Sequence, residues 1–163
     1  MHADNAALFL ARLSCMNWVE RRIKKEEALR AGSTALWQDL GTAIREAVET
    51  YNDHYGKQHG NVQITPSGKQ IALQRDQTTR SGLTTVRWQV SLDVNAATVF
   101  TQNEKTRTTI TLKIQVGDDG HLFFSSGDNT VDNTLDNALD ADGASKALIE
   151  GFLFNPKLYL EPR

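Results

Sequence analysis

Two hydrophobic periods divide the chain. From residue 5 to residue 55 apolar side chains recur every three or four positions, and from residue 60 to residue 125 they alternate with polar ones. Phe9, Leu13, Met16, Val19 and Ile23 gather on one face of a helix over residues 5–31. Its second half, with Arg21, Arg22, Lys24, Lys25, Glu26, Glu27 and Arg30, is mostly polar and is expected to project past the core. Gly32 followed by Ser33 and Thr34 reads as a helix stop and a new N-cap, so the pattern predicts a helical hairpin rather than one rod. The second helix spans residues 34–55, where Leu36, Leu40, Ile44, Val48, Tyr51 and Tyr55 form a stripe long enough to lie across a sheet. Gly41 weakens it by about 1 kcal/mol relative to Ala, unless another backbone packs closely there.

Beyond residue 60 the period is two. Val62 and Ile64, then Ile71 and Leu73, flank the turn residues Pro66-Ser67-Gly68 and predict a hairpin. Val86, Trp88, Val90, Leu92 and Val94 face one way while Thr85, Arg87, Gln89, Ser91 and Asp93 face the other. Ile110, Leu112, Ile114 and Val116 repeat that pattern, and Gly117-Asp118-Asp119-Gly120 turns the chain into a short strand from His121 to Ser125. Clean alternation means an antiparallel sheet with one dry face, because doubly buried parallel strands read as continuous apolar runs. A terminal helix follows, Ser145 to Phe154, ended by Asn155-Pro156. Segregated helices and strands give the α+β class. The expected architecture is one domain over residues 1–163. An N-terminal helical hairpin and a C-terminal helix pack on one face of an approximately five-stranded antiparallel meander.

Composition changes this picture little: 39% hydrophobic and 23% charged residues in 163 suit an ordinary globular domain with a core that needs no metal or disulfide. Cys15 stands alone, so no intramolecular disulfide forms, and no His beside it marks a reactive thiol. Asp4 and Arg12 bracket the short apolar run Ala6–Leu10, which does not read as a secretory signal, and no run reaches the length of a membrane span. A cytoplasmic protein without membrane association is expected.

Charge is distributed unevenly. Residues 57–116 hold eight Lys or Arg against three carboxylates, whereas residues 117–150 hold eight carboxylates against Lys146. Separated in space, such blocks would steer a charged partner or favour head-to-tail contacts between copies; together, they would neutralise each other. The acidic block contains a four-residue repeat: Asp128-Asn129-Thr130-Val131, Asp132-Asn133-Thr134-Leu135, Asp136-Asn137-Ala138-Leu139 and a degenerate Asp140-Ala141-Asp142-Gly143. As a helix it would stack carboxylates in one column and Val131, Leu135 and Leu139 in another, at a small repulsive cost, and an irregular loop is the alternative. Carboxylate and amide oxygens suit a weak cation site, but one helical turn between them makes a row rather than a cage. The calcium-loop pattern also fails at Ala138 and Ile149. Asp132, Asp136 and Asp140 read first as a solvated face, and secondarily as an acidic interaction surface.

No Gly-rich phosphate loop, serine elbow, paired-cysteine or zinc motif is present, and no metal or cofactor is expected. The polar sheet face carries Arg87 and Lys113 with Thr, Ser and Gln and is expected to hold no aromatic for stacking, because Trp88 points into the core by parity; with a formal net charge of −2, nucleic acid is not an expected ligand. Trp18 and Trp37 flank the apolar stripes of the two expected helices, where they could pack together, or seat a partner in a symmetric dimer. These features favour a non-catalytic protein-interaction or self-association module. The second reading is a small-molecule binder or enzyme with a pocket between the sheet and helix 34–55. Trp88, Phe100, Tyr51 and Tyr55 would line it, and Arg87, His54, Asp53 and His121 would supply its polar groups.

Overall fold

The computed structural model describes residues 17–79, 82–103, 109–117, 119–126 and 138–154. Helix α1 (Trp18–His59) leads into seven strands, β1 (Val62–Ser67), β2 (Gln70–Thr79), β3 (Gly82–Asp93), β4 (Thr98–Gln102), β5 (Thr111–Val116), β6 (Leu122–Ser126) and β7 (Ala138–Leu139), and helix α2 (Ala141–Phe154) follows. The strands lie in chain order, β1 to β7, and every neighbouring pair is antiparallel. The α+β class and the antiparallel meander expected from the alternation are therefore present.

The expected helical hairpin is not. The described part of the N-terminal region is one helix of 42 residues, about 63 Å long at 1.5 Å per residue. A stop glycine takes a positive φ, and Gly32 is not among the glycines that do. Its small size serves packing instead, because a Cβ there would stand 2.9 Å from Leu122 Cδ2. Ser33 does not cap a new helix either; its hydroxyl donates back to the Leu29 carbonyl within the same one. Asn17 caps the true start of the described helix, its Oδ1 accepting from Glu20 N at 2.9 Å.

Among the described residues seven strands replace the expected five. The two added ones, β4 and β7, give weak signals for a physical reason. β4 buries a threonine, Thr101, beside Val99, and its Oγ1 accepts from Ile110 N at 3.0 Å, so a polar residue stands where alternation would call for an apolar one. β7 has two residues, too few for any period. Helix α2 begins four residues before Ser145 because Asp140 caps it. The Asp140 Oδ1 accepts from Gly143 N at 2.7 Å and its carbonyl from Ala144 N at 2.9 Å.

Cross-strand pairing keeps the inward side chains in register: Leu73 opposite Trp88, Ile71 opposite Val90, Leu92 opposite Val99, Val99 opposite Leu112 and Ile114 opposite Phe124. Both helices cover that face. Leu40, Ile44 and Val48 of α1 and Leu148, Ile149 and Phe152 of α2 join the strand residues in one buried cluster. The other face is polar along β1 to β3, with exposed Gln63, Thr65 and Arg87, and carries the half-buried Phe100 and Phe123 further along. No helix among the described residues is long and apolar enough to cross a membrane.

Candidate functional site

Most of α1 lies on the sheet, but its first turns do not. From Ser33 onward the stripe Ser33, Trp37, Leu40, Ile44, Val48 and Tyr51 is buried. Before it, Trp18, Val19 and Ile23 are 76%, 42% and 48% exposed. The projecting half carries the ion pairs Arg22–Glu26 at 3.5 Å and Lys24–Glu27 at 3.3 Å, both solvent-exposed and each of small energetic weight. Between this half-helix, the β3–β4 turn and the end of β5 lies an open cleft of about 640 Å³. Arg22, Lys25 and Arg30 line it from the helix and Lys113 from β5, with Glu26 among them, over an apolar floor of Leu29, Val94, Ile114 and Val116. The cleft exists because β4 stops short: pairing with β5 ends at Thr98–Lys113, and the turn bonds once more, through Ala97 O and Ile114 N at 2.8 Å. Gln115 also lines the cleft, and its Oε1 is buried without a donor.

At the other end of α1 the structure builds a polar knot that sequence reasoning missed. Arg75, 1% exposed, donates from Nη1 to Tyr51 Oη at 3.0 Å and to Leu153 O at 3.5 Å, and from Nη2 to Phe152 O at 3.0 Å. Its guanidinium lies 5.1 Å from the centre of the Phe152 ring and 5.9 Å from that of Tyr51. The last turn of α2 has no basic residue of its own, and its carbonyls have no partner within the helix, so a buried cation from β2 complements its dipole. Arg75, one of the eight Lys or Arg in residues 57–116, is therefore part of the core and adds nothing to the surface charge of the sheet. Parity was the available signal: Ile71 and Leu73 put Arg75 on the dry face. Asn52 is a second missed group, closing α1 onto the edge strand by donating to Val62 O at 2.9 Å and accepting from Val62 N at 2.8 Å.

The residues of the expected ligand pocket are only partly brought together. Tyr51 and Tyr55 form a tilted pair with ring centres 5.4 Å apart, Phe154 meets both edge-on, and His54 lies 6.3 Å from Tyr55. Trp88 is buried in the core against Phe152, at 6.0 Å. Arg87 is exposed on the opposite face, Phe100 shares that face and pairs with Ser91, and His121 is exposed at the β5–β6 turn. Asp53 and His54 are exposed on α1.

The interaction residues also separate. Trp37 is core, its Nε1 donating to Gly68 O at 2.9 Å and so tying α1 to the β1–β2 turn. Trp18 stands about 28 Å away along the same helix, so the two indoles do not meet. Asp140 is the cap of α2, while Asp132 and Asp136 lie outside the described residues. Among the described residues no cluster of three or more His, Cys, Asp or Glu is placed to hold a metal ion. No family model, curated protein or solved structure matches this chain.

Proposed function

We propose that the protein is a non-catalytic interaction module whose contact surface is the projecting half of α1 and the end of the sheet beneath it. One observation carries this reading: a single helix buries its apolar stripe from Trp37 to Tyr51 yet leaves Trp18, Val19 and Ile23 open to solvent. Apolar side chains at a spacing of four on an exposed helix face are the anchors of helix-mediated association, and a bulky aromatic at their edge is a typical contact hot spot. The groups of the alternative pocket do not converge, since Trp88 and Arg87 stand on opposite faces of β3.

Sedimentation velocity of the full chain tests the proposal. Association should appear as concentration rises into the high micromolar range, and Ile23→Asp, at a site 48% exposed, should return the protein to monomer without lowering its melting temperature. A wild-type chain that stays monomeric throughout, with Ile23→Asp indistinguishable from it, overturns the reading.

A further inference from the structure

Alternation predicts an open sheet face without aromatics, yet the structure places two half-buried rings there, Phe100 and Phe123. Four neighbouring strands each set one residue on that face, in the order cation, ring, cation, ring: Arg87 on β3, Phe100 on β4, Lys113 on β5 and Phe123 on β6. Pairing fixes their places. Phe100 stands opposite Ser91, four residues along β3 from Arg87, and opposite Thr111 on β5. Lys113 lies two residues beyond Thr111, opposite Ser125, and Phe123 lies two beyond Ser125 in the same direction, opposite Gln115. Even spacing keeps all of them on the face away from both helices, in an oblique line. With strands about 4.8 Å apart and a rise of about 3.3 Å per residue, the two rings stand roughly 16 Å apart and Lys113 lies midway between them.

Arg87 and Lys113 are exposed and enter no ion pair among the described residues. The carboxylates of Asp76 and Asp93 on the same face already accept, from Thr85 Oγ1 at 2.8 Å and from Ala96 N at 3.1 Å. Across from each ring lies a buried polar atom without a partner. Ser91 Oγ, in a residue 5% exposed, is beside Phe100, and Gln115 Oε1 is beside Phe123. A matching ligand brings flat apolar surfaces that stack, anions between them, and edges that hydrogen-bond. A folded protein fits poorly, since the core of a protein contact is depleted in charge and these rings stand apart among Gln, Thr and Ser. Duplex nucleic acid keeps its flat surfaces inside its own stack. A single strand offers all three groups: bases to Phe100 and Phe123, phosphates to Arg87 and Lys113, and base edges to Ser91 and Gln115.

We propose that the open face of the sheet binds single-stranded nucleic acid, stacking bases on Phe100 and Phe123 and holding the phosphates between them at Lys113, with Arg87 extending the track. The surface is separate from the helix contact described above and does not depend on it. Stacking accepts any base, so sequence preference is weak.

Fluorescence anisotropy of the full protein with labelled oligo(U) and oligo(dT) of about ten residues tests this. Binding should saturate and weaken with salt, at a log–log slope of about −1.4 for two phosphates neutralised on a single strand. A duplex of the same length should not compete. Phe100→Leu and Phe123→Leu keep an apolar side chain at these half-buried sites but remove the ring, and each should weaken binding at least about fivefold in a protein that still unfolds cooperatively. Lys113→Gln should weaken it too and bring the slope to about −0.7. Equal binding of the two oligomers supports the proposal through the base and phosphate chemistry they share, and a difference between them supports it while showing which sugar the site prefers. Failure of both to bind, a duplex that competes as well as the single strand, or binding indifferent to the Phe→Leu and Lys113→Gln changes overturns it. If neither oligomer binds while Phe123→Leu alters the sedimentation of the chain, the face is a protein contact instead and the proposal falls.

Discussion

Removing the Arg75 side chain should be among the most damaging single changes to this fold. Arg75→Ala deletes the donor to Phe152 O at 3.0 Å, the weaker one to Leu153 O at 3.5 Å and the one to Tyr51 Oη at 3.0 Å, all in a site that is 1% exposed. Each acceptor left buried and unpaired costs about 1–3 kcal/mol, and the lost stem and ring contacts add about 1–2 kcal/mol. Cooperative relaxation and water entry offset part of this, which leaves about 3–5 kcal/mol, the range found on removing one member of a buried charged contact. With a urea slope of about 2 kcal/mol/M, the unfolding midpoint should fall by roughly 1.5–2.5 M. Arg75→Lys keeps the charge but not the planar fork that reaches the Phe152 carbonyl and the Tyr51 hydroxyl together, so it should recover no more than about half of the loss. Tyr51→Phe, which removes a single partner, should cost about 0.5–1.5 kcal/mol. Hydrogen exchange should locate the damage in Ala141–Phe154, the helix whose last carbonyls lose their donor. An Arg75→Ala protein within 1 kcal/mol of wild type would refute the reasoning, since the guanidinium would then not be holding the end of α2.

Two further stability measurements probe the frame. Gly41→Ala and Gly60→Ala should move stability in opposite directions. A Cβ at Gly41 meets only Ile71 Cδ1 at 3.6 Å, so Ala should stabilise α1 by about 0.5–1 kcal/mol. At Gly60, φ is +86° and a Cβ would stand 2.6 Å from the Asp76 carbonyl oxygen, so Ala should destabilise by at least about 2 kcal/mol. The same sign for both in chemical denaturation would contradict this placement of the helix end. Trp88→Ala should cost about 3–5 kcal/mol by opening a cavity beside Phe152; a loss under about 1 kcal/mol would mean that β3 presents its other face to the core.

What the sequence made legible was what periodicity encodes. The stripe Leu40, Ile44, Val48 and Tyr51 and the inward sets of β3 and β5 are buried as their spacing demands, because a side chain's face follows from its position modulo the helix or strand repeat. Local chemistry misled where one residue type serves two purposes. Gly32 looks like punctuation, yet its missing side chain makes room for Leu122, a residue ninety positions later that no local pattern could reveal. Arg75 sits where parity required an apolar group, and only the arrival of α2 explains how a charge is tolerated there. Thr101 hides β4 for the same reason, since its burial depends on a bond from Ile110 across a loop. Of the residues expected around a pocket between the sheet and helix 34–55, Arg87 and Phe100 stand on the open face of the sheet and His121 at a turn, positions that follow from strand pairing rather than from any local pattern.

The continuity of α1 links these points to the proposed surface. An isolated helix of fourteen or so residues is marginal in water, since nucleation is costly and its exposed apolar residues gain nothing from solvent. Here the nucleus is already present: Trp37 to Tyr51 is fixed by the core and by the Trp37–Gly68 bond, so each residue added toward Trp18 costs only propagation. The sheet therefore supports a projecting helix that has no core of its own. Gly32 is where that support ends, because Leu122 is packed against it and the first exposed turns begin just before it. A stop at Gly32 would have folded the basic, apolar-edged segment back onto the domain. Keeping the helix continuous holds Arg22, Lys25 and Arg30 beside the β3–β4 turn and leaves Ile23 and Trp18 exposed, which is what gives this end of the molecule a cleft and a contact face at once.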